Sequence, residues 1–280
     1  MQNKKEVKKM AQVLRFMFIG DVVGVPGQTV FQKWAPRLKD KHKIDAIVVN
    51  GENSAKNGKG ITPKLMEFFK HCGVSVVTSG NHIWQNREIY SYLDEKSDLI
   101  RPANYPSACP GKGYSLFEVN GHMVVVINLQ GRVFMREDLE CPFKTIESLL
   151  IFLQTKTNII FVDFHAEATS EKHILAYFLD GKVSGIFGTH THVQTADERI
   201  LAGGSGYITD LGFCGAVNSA IGMKADTVLQ RFLTQMPTRF SVEDNPPFQI
   251  SGVWVEVDIK SGKTLKIERI NVVDEEFSVK

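Results

Sequence analysis

Carboxylate, amide and imidazole side chains recur just beyond short apolar runs of this chain. Asp21 follows Val13–Ile19, Glu52 and Asn53 follow Ala46–Asn50, and Asn81 and His82 follow the run 74–78. His165 closes the run 158–164, and His190 and His192 follow 185–188. Donors of these types can hold two divalent ions and leave positions open for a substrate. A Gly-Asp turn or a single histidine is commonplace by itself; the joint pattern is what points to metal. Four of the eight histidines share it, whereas His42, His71, His122 and His173 lack such a context and read as surface or packing residues. His190 and His192 stand two apart, so on an extended segment both would face one side.

Donors so scattered along the chain can meet only if the apolar runs are strands whose carboxyl ends share an edge. The runs alternate with helical patterns, which predicts an α/β protein. Further strands are expected at 123–129 and 205–209, and helices over 27–41, 63–72, 86–93, 143–155 and 171–179. Thr62 is a suitable N-cap for the second helix, with Pro63 at its first position. Residues 252–259 and 264–272 alternate about Lys260-Ser261-Gly262-Lys263, a hairpin pattern. In open α/β sheets ligands bind beyond the carboxyl ends of strands, so the donor-bearing segments can converge. The longest irregular stretches, 99–113 and 239–248, are loops that could border a site. No repeat or long linker divides the chain, which predicts one domain over 13–280 behind a basic tail, 1–12.

At 280 residues, 43% of them hydrophobic, the chain can build a sizeable core. Its 33 Lys plus Arg against 31 Asp plus Glu give a net charge of +2, dispersed beyond the first nine residues and without a strong nucleic-acid signal. Cys72, Cys109, Cys141 and Cys214 form no C-x-x-C pair, which predicts a reducing compartment, the cytoplasm. Lysines precede Val13–Ile19, but Arg15 interrupts the run and no small-x-small cleavage site follows, so it reads as a strand and not a signal peptide. No stretch approaches the roughly 20 apolar residues of a membrane span. Gly58-Lys59-Gly60 and Gly111-Lys112-Gly113 do not fit the phosphate loop G-x-x-x-x-G-K-[ST].

The set Gly20-Asp21, Gly51-Glu52-Asn53, Gly80-Asn81-His82, His165 and Gly188-Thr189-His190-Thr191-His192 resembles the calcineurin-like metallophosphoesterase superfamily. Within it, residues 18–24, 50–53, 80–84, 163–172 and 209–212 are similar to the bacterial YmdB-like branch, and the likeness runs from about residue 13 to the C-terminal hairpin. The resemblance implies a four-layer α/β/β/α sandwich with a strand-end dinuclear metal site. It also implies hydrolysis of a small phosphoester, above all 2′,3′-cyclic nucleotides. Asp21, Glu52, Asn53 and His192 would hold one ion; Glu52, Asn81, His165 and His190 the other, with Glu52 bridging; His82 would donate a proton.

Where the superfamily usually has Asp-x-His, this chain has Asp21-Val22-Val23, and Glu52 replaces the usual bridging Asp. The first site thus loses an imidazole, and Asn53 and the longer Glu52 can compensate. The mixed donor set suits two transition-metal ions, Fe or Mn first, then Zn or Mg. In-line attack by a metal-bridging hydroxide is the expected mechanism. A broad-specificity phosphomonoesterase or a regulatory metal- or nucleotide-binding protein are the alternatives, and a homo-oligomer is a family-level expectation. Arg132 could contact substrate or simply sit in a surface loop, and Asp163 and Glu167 could orient His165 as hydrogen-bond acceptors.

Overall fold

A computed structural model describes residues 12–276, so the basic tail expected over 1–12 lies outside the described residues except for Gln12. The chain opens with β1 (Val13–Ile19) and β2 (Asp21–Val22), then α1 (Gly24–His42). Helix α1 begins three residues before the expected Gly27, because Pro26 falls in the first turn, where its missing N–H costs no hydrogen bond. Then come β3 (Ala46–Asn50), α2 (Pro63–His71) and β4 (Val76–Thr78). Thr62 caps α2 as expected, its hydroxyl accepting from the Leu65 N–H at 3.3 Å. Strand β4 starts later than residue 74, since the Val74 N–H turns back to Phe69 at the end of α2, and only from Ser75, bonded to Ile47 of β3, does the chain join the sheet. The single helix expected over 86–93 is instead a 3₁₀ turn, Ile83–Gln85, and α3 (Ile89–Glu95), divided at an extended Asn86.

A second run follows: β5 (Tyr114–Val119), β6 (His122–Gln130), α4 (Pro142–Leu153) and β7 (Ile160–His165). It continues through α5 (Thr169–Leu179), β8 (Gly185–Thr189), β9 (Arg199–Ile200) and β10 (Gly206–Ile208). Strand β5, absent from the sequence-based expectation, pairs with β6 across Asn120-Gly121, both at positive φ (49° and 82°). The chain then returns through β11 (Phe213–Ala216), α6 (Ala225–Thr234), β12 (Phe248–Asp258) and β13 (Thr264–Asp274). The last two form the expected hairpin, lengthened at the open ends of both strands. Strands β2, β9 and β11 and helix α6 were also not anticipated.

One sheet has the order β2-β11-β12-β1-β3-β4 with β13 on β12, and the other β5-β6-β7-β8-β10-β9. Strands β1, β3 and β4 run parallel, as do β6, β7, β8 and β10. Alternate residues of β1 show how the layers form. Met17 and Ile19 pack with Phe31 and Leu38 of α1 and Phe69 of α2, while Phe16 and Phe18 face the second sheet. There Phe18 meets Phe161 and Phe187 with ring centroids 4.8 and 4.5 Å apart. On the far side, Ile127 and Val162 pack against Ile146 of α4 and Leu175 of α5. These three apolar layers make the α/β/β/α sandwich; each buried Phe or Leu contributes about 1.5–3 kcal/mol. Phe31 and the segment from Phe213 to Ala216 belong to this core. All four cysteines are free, and no helix among the described residues is long and apolar enough to cross a membrane.

Candidate metal centre

The parallel strands of both sheets end at the same edge, and there the donors meet. Asp21 follows β1 after Gly20 and opens β2, its N–H bonded to the Gly212 carbonyl at 3.2 Å. A Cβ on Gly20 would lie 2.0 Å from that carbonyl oxygen, so only glycine lets the chain enter the site here. Glu52 and Asn53 follow β3, where the Asn50 side chain accepts the Glu52 N–H at 3.1 Å. Asn81 and His82 follow β4, and the Glu52 Oε2 atom accepts the His82 N–H at 2.9 Å. From the other sheet comes His165, the last residue of β7; a Cβ on Gly80 would lie 2.2 Å from its ring.

His165 Nε2 is the geometric focus. It lies 3.0 Å from Glu52 Oε1, 3.1 Å from Asn81 Oδ1 and 3.1 Å from His190 Nδ1. One nitrogen cannot satisfy a carboxylate, an amide oxygen and a second imidazole with one proton. The donor atoms of Glu52, His165 and His190 lie within 4.8 Å of one another, a spacing that could hold an ion. Beside them, Asp21 Oδ1 lies 3.7 Å from His192 Nε2 and 3.9 Å from His165 Nδ1. Asp21 Oδ1 and Asn53 Oδ1 are buried without a hydrogen-bond partner. Asn53 donates to the Gly58 carbonyl at 3.0 Å, which fixes its amide and leaves the oxygen free. Orphaned buried oxygens are costly, and a cation between them would offset that cost. The residues present therefore fit a metal centre.

The three imidazoles are prepared alike. Thr189 Oγ1 donates to Asp163 Oδ1 at 2.7 Å and so accepts from His165 Nδ1 at 3.0 Å, leaving Nε2 turned inward. His190 Nε2 lies 3.2 Å from Glu167 and His192 Nδ1 donates to the Ile221 carbonyl at 2.9 Å, leaving His190 Nδ1 and His192 Nε2 inward. Anchoring one ring nitrogen to fix the tautomer of the other is how proteins prepare histidine for metal. His82 differs: its Nδ1 is buried and has no partner.

Electrostatics follow from this crowding. Burial opposes charge on Glu52 and His165, but their mutual attraction wins, lowering the Glu52 pKa and raising that of His165. Burial and the nearby His165 push His190 down to about 3, so it is neutral. Burial raises the Asp21 pKa against the pull of His192 and His165, and lowers that of His82 against the pull of Glu52.

All eight expected residues thus reach one edge, but two expectations change. His190 and His192 do not sit on an extended strand: β8 stops at Thr189, and they have φ of 99° and 63°. They converge because a strained turn aims them. Asp163 reaches His165 through Thr189, and Glu167 contacts His190 instead. The Arg132 side chain is exposed, while its backbone N–H binds Glu171 at 3.0 Å. Sequence reasoning also gave no role to Asp210 and Lys172. Asp210 Oδ2 accepts from the Thr191 hydroxyl and from buried Lys172, each at 2.7 Å, and its Oδ1 accepts from Gly212 at 2.8 Å, clamping the histidine turn. Both residues fall inside segments that carried the family resemblance, the one signal that could have found them.

A family model described as "YmdB-like protein" matches residues 17–270. A protein of Bacillus subtilis (strain 168) described as "2′,3′-cyclic-nucleotide 2′-phosphodiesterase" is 44% identical over 262 residues, 94% of this chain and 98% of that one. The crystal structure of a novel phosphatase of Mycoplasma pneumoniae superposes with a TM-score of 0.89 at 37% identity, covering 95% of each chain. A hypothetical protein from Thermus thermophilus gives a TM-score of 0.85 at 37% identity, covering 93% of this chain and 100% of that one.

Proposed function

We propose, since this chain belongs to the YmdB-like protein family, that it is a metal-dependent phosphodiesterase hydrolysing 2′,3′-cyclic nucleotides. The observation that carries the reading is the set of three inward-turned imidazole nitrogens, each fixed through its other nitrogen, two of them beside the Glu52 carboxylate and the third beside Asp21. Asp21, Glu52, Asn53 and His192 would hold one ion, and Glu52, Asn81, His165 and His190 the other. Their mix of imidazole, amide and carboxylate favours Fe or Mn. Bound there, the ions supply Lewis acidity, which activates water near neutrality and neutralises charge on the phosphoryl oxygens.

The remaining work falls to the chain's own atoms. Glu52 would serve both ions and, by accepting the His82 N–H, holds that residue beside them. Thr189 and Asp163 keep the His165 ring oriented. His82 keeps a ring nitrogen free of other bonds and protonates the ribose 2′ oxygen as it departs. Burial lowers its pKa, so the proton is weakly held and readily transferred, at the cost of a smaller protonated fraction. The unpaired cysteines suit the reducing cytoplasm as its compartment.

The test is an assay of metal-loaded protein against 2′,3′-cAMP, 3′,5′-cAMP and p-nitrophenyl phosphate. Turnover of 2′,3′-cAMP to the 3′-monophosphate is expected. A preference for p-nitrophenyl phosphate would make the protein a phosphomonoesterase, and no turnover with metal bound would overturn the enzymatic reading.

A further inference from the structure

Next to the metal centre the surface opens into two cavities of about 640 and about 610 Å³. They share Asn57, Arg239 and Phe240, and so form one continuous trough. Its walls are the loops that fix the centre. Gly58, whose carbonyl holds Asn53, lies against Met223, and the Ile221 carbonyl two residues before it holds His192. Lys59, Arg136, Arg231 and Arg239 line the larger cavity, and no carboxylate does. Lys56 and Lys224 add to the smaller, where Asp244 is the one acid. Among the described residues, none of these six cations forms an ion pair. Half a dozen unpaired cations in one trough of a chain whose net charge is only +2 mark a site for a polyanion. Phe240, 39% exposed, offers a ring on which a base can stack.

Each cavity is large enough for a drug-sized molecule, so together they have room beyond a mononucleotide. A 2′,3′-cyclic phosphate can also be the last group of an RNA strand, and every other phosphate then lies on its 5′ side. A trough walled by the loops that hold Asn53 and His192 can follow such a strand. We propose that this trough binds the 5′-leading strand of oligoribonucleotides ending in a 2′,3′-cyclic phosphate, whose terminal ester is opened at the metal centre. The inference rests on the function proposed above. The reaction is the same hydrolysis: water adds to phosphorus, the P–O2′ bond breaks and O2′ takes a proton.

The experiment compares 2′,3′-cAMP with a single-stranded pentaribonucleotide ending in a 2′,3′-cyclic phosphate, using metal-loaded protein. Anisotropy of a labelled pentamer ending in a 3′-phosphate reads binding separately from turnover. The pentamer should have the higher kcat/KM and should bind in the anisotropy assay. If three phosphates are neutralised, its affinity should fall roughly twentyfold between 50 and 200 mM salt. The double variant R231Q/R239Q should lose about tenfold or more in pentamer binding and kcat/KM, with 2′,3′-cAMP turnover changing less than about threefold. Equal kcat/KM for the two substrates with salt-independent pentamer binding would overturn the inference and leave the proposed function standing. If neither ester were hydrolysed, the proposed function would fall and this inference with it.

Discussion

The metal centre and the trough beside it are built by opposite rules. At the centre three imidazoles are anchored through one ring nitrogen: His165 by Thr189, His190 by Glu167 and His192 by the Ile221 carbonyl. In the trough, Lys59, Arg136 and Arg239 are exposed and make no ion pair among the described residues, and Arg231 donates to the Gln235 carbonyl of its own helix end. A centre that polarises a bond must fix distances, so its parts act as a unit. A surface that follows a flexible polyanion needs charge density and gains little from fixed distances. The difference predicts large, mutually dependent effects in one region and small, additive ones in the other.

The largest effect is expected at Glu52. Glu52→Gln keeps the shape but removes the charge that the two proposed sites would share, and activity should fall by about three orders of magnitude or more. Metal analysis should show fewer than two ions per chain. Two ions bound with near wild-type turnover would remove Glu52 from the centre. His82→Ala should be milder and different in kind. Metal content should stay at the wild-type value while kcat drops about 10²–10⁴-fold, the range for a lost general acid. Loss of metal in this variant would make His82 a ligand.

Thr189→Val tests whether anchoring matters apart from ligation. It removes the hydroxyl between Asp163 and His165 with little change of shape. Metal affinity should fall about 10–100-fold, with the fold intact by circular dichroism. Unchanged affinity would mean that the inward contacts alone orient the ring. Metal uptake should also depend on pH. In the metal-free protein Glu52 raises the His165 pKa above its ordinary value, so the ring holds a proton that an ion must expel. Affinity should therefore rise with pH through neutrality, by about tenfold per unit while one proton is displaced. The gain should level off once pH passes the raised pKa. A flat titration over that range would contradict a protonated His165.

Parts of this design could be read from the sequence, and the division has a physical cause. Strands β1 and β3 match their expected bounds because each is a short apolar run buried on both sides, a local signal. The eight candidate residues could be grouped from sequence because the carboxyl ends of strands, most of them followed by glycine, mark where donors emerge. What binds them together could not. Thr189 lies 24 residues from His165, and Lys172 lies 38 from Asp210, and no local pattern announces either pairing. The spacing of His190 and His192 brought the two together for a wrong reason, since they lie on a turn held by Asp210 and not on an extended strand. Helix α6 buries none of its residues and β5 is only partly buried, so neither carries a strong burial signal. The trough was invisible for another reason: Lys59, Arg136 and Arg231 lie far apart in a chain with nearly balanced charge, and only folding concentrates them.

That concentration gives the smallest and most discriminating prediction. Lys59→Gln and Arg136→Gln each remove one exposed cation from the wall of the larger cavity. Each should weaken pentamer binding about threefold at 0.2 M salt and reduce the salt slope by about 0.7, the value of one phosphate contact on a single strand. The double variant should lose the product of the two, near tenfold, because independent screened charges add in free energy. Pairing Glu52→Gln with His165→Ala should behave otherwise, the second change costing little after the first has broken the unit. A non-additive Lys59–Arg136 pair would mean that the trough is also a fixed site, shaped for one ligand geometry. Additivity would establish it as a charge track feeding a rigid centre.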